Sequence, residues 1–145
     1  MWANQYEIEK TFMGRLSHNG DLLDEINTFC IQNDIKTGWV SVIGAVKTVK
    51  LGYYKQTEKE YVFLNDICAD KPFEIINCTG NISLKDGKPF AHLHIVVSDR
   101  EGKCTGGHLM PGTIIFAGEF IIQKFKGNDL IRGADSETGL PLWVK

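Results

Sequence analysis

Pro89-Phe90-Ala91-His92-Leu93-His94-Ile95-Val96-Val97-Ser98-Asp99-Arg100-Glu101-Gly102-Lys103-Cys104-Thr105-Gly106-Gly107-His108-Leu109 is the stretch that decides how this chain folds, and it holds three of the four histidines. Phe90 to Val97 is a run of apolar and β-branched residues that reads as a strand, and in a strand residues two apart share a face. His92 and His94 therefore point the same way. Arg100-Glu101-Gly102 follows as a hairpin loop whose last position falls to glycine, because a type I turn closing in a G1 bulge needs a left-handed backbone there. That loop pairs Asp99 with Lys103, and counting back along both strands sets His108 opposite His94. Cross-strand neighbours lie about 4.5–5.5 Å apart at Cβ and residues two apart on one strand about 6.5–7 Å, so the three imidazoles converge. A divalent metal held by three His nitrogens, with a fourth position open to water or substrate, is the arrangement of a catalytic zinc site. Gly106 and Gly107 leave room for a ligand or mark a bulge, and the two readings are compatible.

Working back from this stretch, Phe73 to Leu84 reads as another strand that ends in Lys85-Asp86-Gly87-Lys88. Asp-Gly between strands signals a two-residue type I′ hairpin. Pairing Lys85 with Lys88 sets Asn81 opposite His92 and Thr79 opposite His94. The polar row Asn77, Thr79, Asn81 then shares the histidines' face, with Ile76, Cys78 and Ile82 on the other. Thr79 and Asn81 are candidate substrate or supporting residues beside the metal, and a solvent-facing strand side is the plainer alternative. Working forward, Leu109-Met110-Pro111-Gly112 is a turn, and Thr113 to Phe125 is a strongly apolar strand containing Glu119. A carboxylate there faces solvent, is partnered, or serves the metal as ligand or general acid/base. The simplest hairpin count puts Glu119 opposite Cys104, so only a bent or shifted strand brings it to His108.

The rest of the chain supports one α+β domain spanning residues 1–145. Asp21 to Ile31 places Leu22, Ile26, Phe29 and Cys30 on one stripe behind an acidic first turn, and this is the one main helix. Strands are expected at Gln5–Gly14, Trp39–Ala45 and Val46–Lys55. Glu58 to Asp70 reads as a short strand and an irregular connection, and the tail from Gly127 to Lys145 is expected to pack back on the domain or on a neighbouring subunit. His18 sits in a turn and reads as solvated. Cys30, Cys68, Cys78 and Cys104 show no C-x-x-C spacing and read as reduced, mostly buried thiols. The N-terminus lacks the pattern of a signal peptide and no apolar run spans a bilayer, so the expected setting is cytoplasmic with no membrane. Sixteen basic and 18 acidic residues give a net charge of −2, which argues against a surface built to neutralise phosphates. Lys47, Lys50 and Lys55 beside Tyr53 and Tyr54 read as a solvated strand face rather than a nucleic-acid platform.

The combination His92-Leu93-His94-Ile95-Val96-Val97-Ser98-Asp99, Gly102 and Gly106-Gly107-His108-Leu109 resembles the signature of the plants-and-prokaryotes-conserved (PPC) domain family. The similarity runs from about Phe12 to Phe125 and includes Phe73-Glu74-Ile75-Ile76 and Gly80. The resemblance implies one helix packed on a strongly bent antiparallel sheet, a fold also similar to that of acetolactate decarboxylase, and association as a homotrimer. It implies the stand-alone prokaryotic metal-binding type, with zinc or a related ion on His92, His94 and His108. Plant members of the family bind AT-rich DNA through separate AT-hook segments with an Arg-Gly-Arg core, which this chain lacks: Arg15, Arg100 and Arg132 are its only arginines.

Two functions are compatible with this reading. One is a metal-dependent enzyme acting on a small carbonyl or carboxylate compound, with Glu119 or another carboxylate moving a proton and Arg15 or Arg132 holding an anionic group. The other is a trimeric module that binds DNA or a protein and uses the metal for structure or sensing.

Overall fold

The structure, a computed structural model, describes residues 1–64 and 71–144. The expectations for Cys68 and for the end of the connection at Asp70 lie outside the described residues. In chain order the elements are β1 (Glu7–Arg15), α1 (Leu22–Gln32), β2 (Gly38–Thr48), β3 (Leu51–Lys55), β4 (Glu60–Phe63), β5 (Phe73–Lys85), β6 (Lys88–Ser98), β7 (Cys104–Leu109), β8 (Ile114–Lys126), β9 (Ile131–Ala134) and β10 (Pro141–Val144). The strands form one open, bent sheet in the order β1-β8-β2-β5-β6-β7-β3-β4, with β9 attached to β5 and β10 to β9. Every pairing is antiparallel except the short parallel contact of β9 with β5 at Leu84 and Ile131.

The two central hairpins take the register that their turn residues demand. Asp86 (φ 53°) and Gly87 (φ 75°) both adopt the left-handed backbone of a type I′ turn, and Lys85 pairs with Lys88. In the next hairpin Gly102 has φ 79°, and the Asp99 Oδ1 accepts from the backbone N–H of Glu101 at 3.1 Å and of Lys103 at 3.0 Å. That carboxylate holds the loop from inside, and His94 faces His108 as the count required.

Alternation along β6 sorts its residues between two faces. Ala91, Leu93, Ile95 and Val97 are buried, while His92, His94 and Val96 lie on the other side. The buried face meets α1, whose Leu22, Ile26 and Cys30 join Val40, Val42, Ile82 and Ile122 in one apolar cluster. Each such fully buried aliphatic side chain contributes about 1.5–3 kcal/mol relative to exposure. Asp21 caps the helix, its Oδ1 accepting from Leu23 N at 3.0 Å and Asp24 N at 3.1 Å, and the Asn27 Oδ1 accepts from Ala91 N at 2.9 Å, fixing α1 on β6.

Two local expectations need correction. A bulge between Ile75 and Asn77 inserts Ile76 as an extra residue, so the parity of β5 changes there; Ile75 is buried and Ile76 is exposed rather than facing the core with Cys78 and Ile82. β8 does not pair with β7. The edge of β7 is taken by β3, with Leu51 opposite Leu109 and Gly52 opposite His108, and the Met110–Thr113 turn sends β8 across the sheet to lie between β1 and β2. Thr113 is buried at that crossing, where its Oγ1 accepts from Lys50 N at 3.0 Å. Among the cysteines, Cys30 and Cys78 are buried as expected and Cys104 is exposed.

Candidate metal centre

Because the sheet is continuous, its outer face, opposite α1, can be followed rung by rung. Met13 faces Ile121, Ile121 faces Ser41, Ser41 faces Thr79, Thr79 faces His94, and His94 faces His108. His92 lies two residues from His94 on the same side of β6. The three rings converge, with centroids 5.3 Å apart for His92–His94, 5.0 Å for His92–His108 and 5.3 Å for His94–His108. One nitrogen from each ring lies within 4.8 Å of the others.

The electrostatics of the trio suit an acceptor of cations. Burial, and then the neighbouring His108, Arg132 and His94, pull His92 down to about 4. Burial, followed by His94 and Arg132, does the same for His108, also to about 4. Both imidazoles are therefore neutral at pH 7, the form in which histidine ligates a metal. The His108 Nδ1 is buried with no hydrogen-bond partner among the described residues. A buried polar atom left unpaired costs about 1–3 kcal/mol, and a metal ion or a bound ligand group would remove that cost. The donor set, three imidazoles without a thiolate or carboxylate, fits zinc and related transition ions and is too soft for calcium or magnesium.

Beside His92 and His108 the chain builds a cavity of about 290 Å³, lined by those two residues together with Tyr61, Lys85, Phe90, Met110, Arg132 and the 140–142 segment. Tyr61, on β4, sets its ring 4.9 Å from that of His108, and burial raises its phenol pKa. Arg132 is buried. Its Nε donates to Ser83 Oγ at 2.8 Å, one Nη to the Pro141 carbonyl at 2.9 Å and the other to Asn81 Oδ1 at 2.7 Å, the last nitrogen also lying 3.4 Å from His92 Nδ1. Its guanidinium sits 5.5 Å from the Phe90 ring centroid and 5.7 Å from that of Trp143.

The sequence candidates are thus distributed unevenly. His92, His94 and His108 come together. Asn81 reaches the centre through Arg132. Thr79 shares the row but donates its hydroxyl to the Val40 carbonyl at 2.9 Å, toward β2. Glu119 lies between Arg15 and Ile43, on the same outer face but on β8. Since β2 and β5 intervene before β6, it stands roughly 14 Å from the His strand at three inter-strand spacings. Arg15 lies there with it. His18 is in a turn as expected, its Nδ1 2.6 Å from the Phe116 carbonyl oxygen and its Nε2 3.2 Å from Lys47 Nζ. Arg132, expected as one of two possible anion holders, reaches the centre, whereas Tyr61 and the β9–β10 hairpin that carries Arg132 there were not foreseen. The hairpin had a readable signal, since Ile131-Arg132-Gly133-Ala134 and Pro141-Leu142-Trp143-Val144 flank the turn residues Asp135 to Gly139. Tyr61 had none, because its place depends on β3 docking on β7.

Comparison with known proteins places this architecture. The sequence model of the Plants and Prokaryotes Conserved (PCC) domain matches residues 3–126. A metal-containing protein from Archaeoglobus fulgidus is 36% identical, with a TM-score of 0.93 over the whole of both chains. A plant- and prokaryote-conserved (PPC) protein from Pyrococcus horikoshii is 34% identical, with a TM-score of 0.90 over 100% of this chain and 98% of the other. A Bacteroides thetaiotaomicron protein provisionally named as DNA-binding is 26% identical, with a TM-score of 0.84 over 97% and 98% of the two chains. Acetolactate decarboxylase from Bacillus subtilis, at 17% identity and a TM-score of 0.55 over 91% of this chain and 59% of that one, shares the fold alone. Among curated proteins, the bifunctional protein GlmU of a Synechococcus strain is 32% identical over 127 residues, 86% of this chain. The chain spans only 19% of the length of that relative.

Proposed function

The chain belongs to the Plants and Prokaryotes Conserved (PCC) domain family, and from that membership we propose that it is a metal-binding protein whose His92, His94 and His108 hold one divalent ion, zinc by preference. The observation that carries this reading is the buried, unpartnered His108 Nδ1 within a trio of converging imidazoles. The Archaeoglobus relative, described as metal-containing, supports it.

Three protein ligands leave a coordination position for a small oxygenated molecule, where a structural zinc would have four. A bound ion would there supply Lewis acidity, polarising a carbonyl or lowering the pKa of a water toward about 7. The chain's own residues do the rest. His92 and His108 stay unprotonated, Tyr61 covers one side of His108, Asn81 orients Arg132, and the apolar wall of Phe90 and Met110 limits access of water. Such a centre fits an enzyme acting on a small carbonyl or carboxylate compound. Glu119 would take part in proton transfer only where the outer face of one chain meets the centre of another. Self-association as a homotrimer is part of the proposal, supported by Met13 and Ile43, both exposed on that outer face. So is a cytoplasmic setting, supported by Cys30 and Cys78, buried thiols that burial pushes up to about 12.

A second reading, binding to DNA with the metal as a structural or sensing ion, is favoured by the provisional name of the Bacteroides relative. The net charge of −2 and the three scattered arginines weigh against it. Metal analysis of the purified protein, alongside His94→Ala, tests the first reading: about one equivalent of zinc in the wild type and none in the variant is expected. Full metal content in His94→Ala would refute it. Duplex binding whose affinity falls by several powers of the salt concentration would favour the second.

A further inference from the structure

Arg132 is a buried cation that no carboxylate pairs with among the described residues. Its hydrogen-bond partners, Ser83 Oγ, the Pro141 carbonyl and Asn81 Oδ1, are all neutral. Burying a charge without a counter-charge is costly, and natural proteins tolerate it where a ligand supplies the missing sign. Of the five N–H donors of a guanidinium, these contacts and the long approach to His92 leave one Nη proton unclaimed. Lys85 lines the same cavity, its Nζ held 5.1 Å from the Phe90 ring centroid. No Asp or Glu lines that cavity, whose other walls are Tyr61 with His92 and His108 on one side and Phe90, Met110 and the Leu140-Pro141-Leu142 segment on the other.

Arg132 also comes from a part of the chain that the family match does not reach. The match ends at residue 126, while β9 and β10 cover 131–144. This hairpin is anchored from outside, Tyr54 donating its hydroxyl to the Thr138 carbonyl at 2.6 Å and Lys59 Nζ to the Ser136 carbonyl at 2.9 Å. The matched segment supplies the imidazoles, and the segment beyond it supplies the charge and one apolar wall.

We propose that Arg132, assisted by Lys85, binds the carboxylate of a small organic acid with a short apolar body, and that the C-terminal hairpin thereby sets which ligands the centre accepts. The volume of about 290 Å³ suits an acid of a few carbons up to a single ring. One guanidinium Nη lies 3.4 Å from His92 Nδ1 and the unclaimed proton is on the other, which faces the Pro141 carbonyl, so an acid held on Arg132 has its carboxylate in the cavity that His92 and His108 line. This inference rests on the metal-centre reading for the ligand's second anchor, whereas the carboxylate contacts belong to the chain itself.

The test uses full-length ¹⁵N-labelled protein, once zinc-loaded and once stripped with a chelator. Each is titrated with matched acid and amide pairs (acetate and acetamide, pyruvate and pyruvamide, benzoate and benzamide), and the Arg132 Nε–Hε resonance is followed. The expected result is that at least one acid shifts that resonance with an affinity about 10-fold or more above its amide, in both metal states. Arg132→Gln should abolish the preference, and Lys85→Gln, a partly exposed position that leaves the fold intact, should weaken acid binding about 2- to 5-fold. Acids and amides binding alike, or no acid moving the resonance at about 20 mM, would overturn the inference even if zinc binds as proposed. Acid preference in protein that takes up no zinc would instead sink the metal reading and leave this one standing.

Discussion

Gly80→Ala is the perturbation that most directly joins the sheet to the site. Gly80 sits opposite Leu93, between the rungs Thr79–His94 and Asn81–His92. A Cβ built on Gly80 would lie 1.9 Å from the His92 carbonyl oxygen and 3.0 Å from the Leu93 Cα. Neither is the free end of a flexible side chain, so β5 and β6 must separate by about 1 Å to restore ordinary contact. That separation weakens the hydrogen bonds on either side of the rung and strains the packing of Leu93, which is buried in the core. Two or three compromised buried polar groups at about 1–2 kcal/mol each give a destabilisation of about 2–6 kcal/mol. For a chain of this length each kcal/mol lowers the melting temperature by about 2–4 °C, so a fall of roughly 4–24 °C is expected. His92 and His94, the two proposed ligands on β6, flank the displaced rung, and zinc affinity should fall by at least about 10-fold in whatever protein still folds. Gly87→Ala is the control: nothing lies within 4 Å of its Cβ, and only its φ of +75° resists, at about 1–2 kcal/mol. Thermal melts with and without zinc, together with a competitive zinc titration, read both effects. A Gly80→Ala protein that melts within about 2 °C of wild type and keeps its zinc affinity would refute the link between this close approach and the centre.

Four further outcomes are expected. His108→Ala should lower zinc affinity by more than about 100-fold, beyond the 10- to 100-fold typical of supporting residues, as read by chelator competition. In metal-free protein, His92 and His108 are depressed to about 4, so the unfolded chain binds more protons than the folded one between pH 4 and 6.5. Stability is then full above about pH 6.5 and lost as pH falls toward 4; partial exposure of the cluster limits this to about 1–2 kcal/mol per ring. Melting temperature should therefore fall more steeply over that range in wild type than in a His92→Gln/His108→Gln double variant, and equal slopes would contradict the assignment. Asp21→Ala removes the helix cap and its hydrogen bond to Gly112 N, so urea denaturation should show a loss of about 1–2 kcal/mol. Glu119→Gln should leave zinc affinity within about threefold, given its place across the sheet; a larger loss, tracked against oligomer size by light scattering, would show that a neighbouring chain brings it to the centre.

Local chemistry alone was enough for the two hairpins at the middle of the chain. Asp86-Gly87 and Gly102 each demand one turn geometry, a turn fixes register, and register with a two-residue side-chain period puts His92, His94 and His108 together without reference to the rest of the fold. The stripe Leu22, Ile26, Cys30 identified the helix for the same reason, since its period is a property of the segment. What the sequence did not determine was which strand edges meet after the turns end. Whether β8 pairs with β7 or crosses to β2 depends on the competing claim of β3 on the β7 edge, a contest between segments more than 40 residues apart, and adjacency in the chain carries no information about it. For the same reason Glu119 was placed beside the wrong strand in the simplest count, Tyr61 was missed, and Arg132, named only as one of two arginines able to hold an anion, acquired its position from the docking of the β9–β10 hairpin on β5 and on Tyr54 and Lys59. Turn geometry acts over a few residues and is written in them, whereas strand order is decided by which buried faces fit together once the whole sheet exists.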